Sequence, residues 1–226
     1  MENLNYKFYG VRNSQDLSKS GVYEIANVDY DTEIREKGVK SKKFVDRKSA
    51  EQFVKLFLKS QHLFFENGKV SRDKVDRFNQ NVYQTTQDLK PNQAIAFTDG
   101  SYKDGKAGYG IVMFYKNKKL PISKPVKDDS KEIKAQNICA EIEGVKAAIK
   151  LAEKENITDL TIYFDSEGLA DWVLGFNKSK RPLTRKYNDF YKEASKTLSI
   201  TWIRVPAHHG VIYNEEADEL ARRAIM

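Results

Sequence analysis

Two apolar segments, Ala94-Ile95-Ala96-Phe97 and Leu160-Thr161-Ile162-Tyr163-Phe164, each lead to an aspartate, Asp99 in the first case and Asp165 in the second. Between them, from about Asn137 to Lys154, Ile138, Ile142, Val145, Ile149 and Ala152 recur at helical spacing and form one apolar stripe. A helix connecting two such strands implies a right-handed crossover, which makes the strands parallel. Strands of this kind are covered on both faces, and ligands gather beyond their carboxyl ends. Asp99 and Asp165 are therefore expected at one working edge of an α/β sheet. Taken singly, Asp99-Gly100 reads equally well as an ordinary turn. The second apolar strand ending in Asp is what favours the edge.

Two further carboxylates fall on helix faces that should be buried. Glu141 stands three residues after Ile138 and four before Val145, beside the apolar stripe. In a final helix from Asn214, the residues Asn214, Ala217, Asp218, Ala221 and Ile225 share a face, so Asp218 also points inward. Four acids buried together without cations would repel one another and be driven to the neutral form. Hard oxygen ligands without histidine or thiolate suit Mg²⁺ or Mn²⁺. Two such ions about 4 Å apart can activate a water and stabilise the leaving oxygen of an in-line phosphodiester displacement. A net charge of +7 favours a polyanionic partner, nucleic acid first. The one cysteine, Cys139, excludes an intrachain disulfide and a cysteine-based zinc site. No apolar run reaches membrane-spanning length, and Met1-Glu2-Asn3-Leu4-Asn5 has no signal-peptide pattern, so a cytoplasmic protein that avoids membranes is expected, as a monomer.

Residues 1–60 read as a small α+β module. Its strands fall at Tyr6–Val11, Ser20–Tyr23 and Lys42–Val45, followed by a helix capped by Asp46 with Ala50, Phe53, Val54, Phe57 and Leu58 on one stripe. Residues 61–92 are polar and read as a linker with helical character around Val70–Phe78. Residues 93–226 form the main domain. After Asp99, the glycines Gly100, Gly105, Gly108 and Gly110 flank a turn into a strand at Ile111–Tyr115, and Leu120-Pro121-Ile122 opens a third. The spacing of Gly105, Gly108 and Gly110 is wrong for a dinucleotide loop and leads into a strand, as a hairpin does. A short helix at Glu167–Gly175, a basic stretch from Asn177 to Pro182, a helix from Lys186 to about Leu198, a strand at Ile200–Val205 and a loop with His208-His209-Gly210 complete the chain.

In order, Thr98-Asp99-Gly100-Ser101, Ala140-Glu141-Ile142, Phe164-Asp165-Ser166 and Val205…His208…Asn214-Glu215-x-x-Asp218-Glu219-Leu220-Ala221 resemble the signature of type-1 ribonuclease H, over about Ala94 to Ala224. That resemblance implies a five-stranded mixed sheet flanked by helices. It implies endonucleolytic hydrolysis of the RNA strand of an RNA–DNA hybrid by a two-metal-ion mechanism, leaving 5′-phosphate and 3′-hydroxyl ends. Asp99, Glu141, Asp165 and Asp218 match the ligands of two Mg²⁺ ions, with Mn²⁺ as the alternative and Asp99 bridging both. His208 matches a loop histidine that helps proton transfer or product release, whereas His209 has no counterpart. Gly100, Ser101, Asn137 and Asn214 fall where the family meets nucleic acid, the Gly100 backbone at the 2′-hydroxyl that distinguishes RNA from DNA. Ile138 and Cys139 stand where relatives often carry polar or basic residues. The segment between Asp165 and Ile200 lacks the extra basic helix of some relatives, leaving Lys178, Lys180, Arg181 and Arg185 as phosphate contacts or as a solvated basic loop.

The first unit resembles the small hybrid-binding module found ahead of some ribonuclease H domains, through Phe8-Tyr9-Gly10-Val11-Arg12, Gly21-Val22-Tyr23 and Lys42-Lys43-Phe44…Ala50-Glu51…Phe53. The resemblance makes Lys42 and Lys43 duplex contacts. The tryptophan expected after Tyr23 is missing, and Asp29, Asp31, Glu33 and Glu36 make the middle acidic. Two alternatives remain open: a silent hybrid- or RNA-binding protein, and a ribonuclease H-fold enzyme acting on another nucleic acid, such as a junction resolvase or DNA nuclease. The complete carboxylate set speaks against the first, and Asn137 with Gly100 against the second.

Overall fold

A computed structural model describes residues 5–36, 38–127, 136–166 and 168–226, without the side chains of Glu33, Gln136 and Asn137. It divides the chain into one unit ending at Lys74 and another running from Val75 to Met226. In the first, strand β1 (Phe8–Asn13) lies between β2 (Gly21–Glu24) and β3 (Val39–Phe44), antiparallel to both. A π-helical turn at Tyr30–Ile34 joins β2 to β3 and buries Ile34 against Tyr9 and Val11. Helix α1 (Arg47–Phe64) follows, with Ala50, Phe53, Val54 and Phe64 buried. Its N-cap is Asp46, whose carboxylate accepts from Ser49 N–H at 2.8 Å, a cap that contributes about 1 kcal/mol.

The polar stretch expected as a linker carries regular structure. Beyond the end of α1, β4 (Phe65–Glu66) and β5 (Lys69–Val70) form a hairpin through Asn67-Gly68, both with positive φ (49° and 73°), as a type I′ turn requires. Helix α2 (Arg72–Gln87) comes next, with Val75, Phe78, Val82 and Thr86 as its buried stripe. The asparagines and glutamines that made the segment look like a tether occupy mostly the exposed faces. From Val75 onward the helix belongs to the second unit.

The second unit is built on a five-stranded mixed sheet flanked by helices, in the order β10-β9-β6-β7-β8. Its elements are β6 (Gln93–Lys103), β7 (Lys106–Tyr115), β8 (Lys118–Pro125), α3 (Gln136–Lys154), β9 (Asp159–Phe164), α4 (Leu169–Val173), α5 (Pro182–Ala194), β10 (Ser199–Arg204) and α6 (Ile212–Arg223). Strand β9 runs parallel to β6 and β10, while β6–β7 and β7–β8 are antiparallel. Strand β8 is an edge, which is why it tolerates Pro121 and Pro125. Helix α5 starts earlier than its apolar pattern suggests, because Pro182 serves as its first residue. The core combines Ala96, Phe97, Ile111, Val112 and Met113 of the sheet with Ile142, Val145 and Ile149 of α3, all buried. Among the described residues, no helix is long and apolar enough to cross a membrane.

One register detail matters for chemistry. Strand β6 does not stop at Asp99 but continues to Lys103, and the tight turn of the hairpin is Asp104-Gly105, with φ of 50° and 80°. Parallel pairing with β9 ends at Phe97↔Tyr163, whereas antiparallel pairing with β7 persists to Lys103↔Lys106. Asp99 therefore lies just past the point where β6 loses its parallel neighbour, at a gap in the sheet.

Candidate active site

Three elements converge on that gap. Strand β6 brings Asp99, α3 brings Glu141, and the end of β9 brings Asp165. One carboxylate oxygen of each lies within 4.8 Å of those of the other two. The close approach of α3 depends on Gly100, where a Cβ would stand 2.4 Å from Glu141 N. Helix α6 is seated in the same way on β7: a Cβ at Gly110 would stand 1.9 Å from the Ala217 carbonyl oxygen. Two glycines thus let two helix backbones lie directly on the central hairpin, and α6 carries Asp218.

Asp99, Glu141 and Asp218 are buried and Asp165 is half-buried. Asp99 Oδ1 accepts from the N–H of Gly100 at 2.7 Å. Burial, then the charges of Asp165 and Asp218, push the Asp99 carboxyl up to about 8, against the pull of the Gly100 N–H and Arg222. Burial, followed by the neighbouring Asp99 and Asp165, also drives Glu141 well above the usual carboxylate range, against a hydrogen bond with Ser166. Glu141 Oε2 is buried and has no hydrogen-bond partner among the described residues. An all-oxygen donor set with an orphaned buried oxygen fits a hard divalent cation, which would satisfy that oxygen and neutralise the repulsion. This acidic group could hold metal.

Asp218 makes an ion pair with Arg222 one turn along α6. Its Oδ2 is also 3.8 Å from His208 Nδ1. His208 is exposed, on a loop between β10 and α6, and has a positive φ of 53°. Asn214 is buried, and its Nδ2 donates to Asp165 Oδ2 at 3.0 Å. It therefore lies behind the carboxylates, not on an open groove. Ser101 continues β6, half-buried, beyond Gly100. The side chain of Asn137 lies outside the described residues. Lys42 and Lys43 belong to β3 in the first unit, where Lys43 Nζ sits 5.4 Å from the Tyr9 ring centroid.

Several participants were not picked out in the sequence. Arg222 stands four residues after Asp218, a spacing that could have suggested the pair. Ser166 directly follows Asp165. Arg204 Nε donates to the Asp165 carbonyl at 3.1 Å, a backbone contact with no signature in the sequence. Asn79 on α2 contacts the loop after His208, with Nδ2 to the Gly210 carbonyl at 2.8 Å and Oδ1 from Ile212 N–H at 3.1 Å. Nothing local marks it.

Known proteins resemble this chain in sequence and fold. The family model described as RNase H matches residues 91–226. Ribonuclease H1 of Mus musculus is 32% identical over 157 residues, a match covering 62% of this chain and 53% of that protein. Ribonuclease H of Francisella philomiragia is 32% identical over 149 residues, covering 60% of this chain and 93% of that protein. The chain spans about half the length of the rodent relatives it matches. Among solved structures, the N-terminal RNase H domain of a Mycobacterium tuberculosis protein, fused to maltose-binding protein, aligns with a TM-score of 0.50 at 23% identity. That alignment covers 59% of this chain and 99% of the solved one and is a likeness of fold.

Proposed function

The chain belongs to the ribonuclease H family, and from that premise we propose that it is an endonuclease hydrolysing the RNA strand of RNA–DNA hybrids to leave 5′-phosphate and 3′-hydroxyl ends. The observation that carries the reading is the cluster of Asp99, Glu141 and Asp165, with carboxylate oxygens within 4.8 Å of one another inside a protein of net charge +7. So much buried negative charge is costly alone and useful around divalent cations. Asp99, Glu141 and Asp165, joined by Asp218, would hold two Mg²⁺ ions, with Mn²⁺ as a substitute. When bound, such a pair supplies Lewis-acid polarisation of the scissile phosphate and acidifies the attacking water.

The chain's own residues do the rest. Asn214 fixes the orientation of Asp165 through its 3.0 Å hydrogen bond, so it acts on substrate through the carboxylate. His208, exposed beside Asp218, is placed to carry a proton to or from the reacting groups or to assist product departure. Gly100, Ser101 and Asn137 lie along the route proposed for the hybrid's minor groove, where the 2′-hydroxyl distinguishes the strands.

The first unit is proposed to grip the duplex. Tyr30 is exposed and stacked on Tyr9 at 5.3 Å, and Lys43 lies over Tyr9. An aromatic face beside Lys43 suits a sugar–phosphate backbone, with Lys42 next to it on the other face of β3. The same reading has the chain act as a cytoplasmic monomer. End-labelled RNA–DNA hybrid, double-stranded RNA, double-stranded DNA and single-stranded RNA, each incubated with Mg²⁺ and with chelator, test the proposal. Metal-dependent cutting of the RNA in the hybrid alone is expected; tight binding of the hybrid without cutting would show a silent binder instead.

A further inference from the structure

Helix α2 reaches the site from outside the sequence motifs, and Asn79 lies ahead of the region 91–226 matched by the family. Asn79 is half-buried, next to the buried Phe78, whose ring meets Tyr163 of β9 edge-on at 5.5 Å. Its amide bridges the junction between the His208 loop and α6. Nδ2 donates to the Gly210 carbonyl at 2.8 Å, and Oδ1 accepts from Ile212 N–H at 3.1 Å.

Both contacts meet a need. The first turn of a helix has N–H groups without intrahelical acceptors. The N-cap residue of α6 is Val211, which makes no side-chain cap bond. Asn79 supplies an acceptor from another helix. The loop is also tightly curled: His208 and Gly210 both have positive φ, 53° and 82°. Gly210 is held at its N–H by Glu215 Oε1 at 2.7 Å and at its carbonyl by Asn79. The His208 ring is exposed and not held by packing, so the backbone beneath it fixes the position from which the ring reaches Asp218.

We propose that Asn79 is a positioning residue for hydrolysis, clamping Gly210 and Ile212 so that His208 stays beside Asp218. The inference rests on the hybrid-cleavage reading. It makes the helix preceding the matched domain a determinant of turnover.

The test uses the full chain with Asn79→Ala, Asn79→Asp, His208→Ala and the double variant Asn79→Ala/His208→Ala. Asn79→Ala is expected to lower kcat on the hybrid about tenfold, with KM within about twofold, and to speed amide exchange at Ile212. In the His208→Ala background the same change should alter kcat by less than about twofold, because the clamp acts through that histidine. Asn79→Asp keeps an acceptor for Ile212 N–H and loses the donor to Gly210. It should hold its melting temperature and still lose turnover. Equal loss of kcat in both backgrounds, unchanged kcat in Asn79→Ala, or full turnover in Asn79→Asp would overturn the proposal while leaving the enzyme assignment standing. A parent chain that cuts no hybrid would overturn the assignment itself and the role of Asn79 with it.

Discussion

At Asp99 the requirements of folding and of chemistry conflict. Its carboxyl is raised to about 8 in the folded chain, so in the absence of metal it stays protonated at neutral pH. A group whose folded pKa lies above its unfolded value contributes stability that is complete below the unfolded pKa, near 3.8 here, and lost as pH rises through the folded value. The metal-free protein should therefore lose stability between pH 4 and pH 8, by at most about 1.4 kcal/mol per pH unit for this proton. Asn removes that dependence. Thermal melts in chelator should show Asp99→Asn more stable than the parent at pH 8, with the difference vanishing near pH 4. The same variant should lose cleavage by about a thousandfold or more, since the charge that holds cations is gone. Metal uptake gives a second reading of the same groups. With Asp99 raised to about 8, binding of Mg²⁺ at pH 7 should release a proton and affinity should climb with pH through that value; the raised Glu141 acts in the same direction. Calorimetry in buffers of different ionisation enthalpy measures that release. Asp99, Glu141 and Asp165, the three that cluster, are legible in the sequence because each is an acid in a position that should be apolar or at a strand end; Asp218 carries the same signal and is paired with Arg222. Ser166, Arg204 and Asn79 are not legible, because each acts through a contact that only the folded backbone creates.

At the scale of elements, the site depends on how closely two helices lie on one hairpin. A methyl group at Gly110 would meet the Ala217 carbonyl at 1.9 Å and Ala221 N at 2.6 Å, both backbone atoms of α6. Neither can yield unless the helix moves. Gly110→Ala should cost about 3 kcal/mol of stability by overpacking, and it should reduce cleavage more than the lost folded fraction explains, because the displaced helix carries Asn214 and Asp218. Denaturant melts together with kcat on the folded fraction separate the two effects. The helix and strand cores are legible in the sequence, because α3, β9 and β10 have strong apolar periodicity. The end of β6, at Lys103, is not legible. Asp99-Gly100 has the composition of a turn, yet the turn is Asp104-Gly105, and the difference lies in whether a partner strand continues alongside. Helix α2 is legible only in part, around Val70–Phe78, for another reason: its stripe of Val75, Phe78, Val82 and Thr86 is correctly spaced, but the polar residues of its second half outweigh the pattern.

Across the whole molecule, charge and architecture divide the work of binding and cutting. Under the proposed hybrid cleavage the acidic cluster would repel a polyanion on its own, so binding would fall to basic residues elsewhere and to the cations the site could hold. In the first unit, Lys42 and Lys43 are adjacent on β3, with Lys43 over Tyr9, which stacks on the exposed Tyr30. If they contact phosphates, their removal should weaken binding without touching the reacting groups. Lys42→Ala/Lys43→Ala should raise KM for the hybrid several-fold, with kcat at saturation within about twofold of the parent and the salt dependence of binding shallower by about two counterions. Titration of hybrid affinity against salt, alongside steady-state kinetics, reads all three quantities. An unchanged salt slope would mean that the first unit does not grip duplex, whatever its fold. A fall in kcat at constant KM would instead make the two lysines part of how the substrate is presented for cutting.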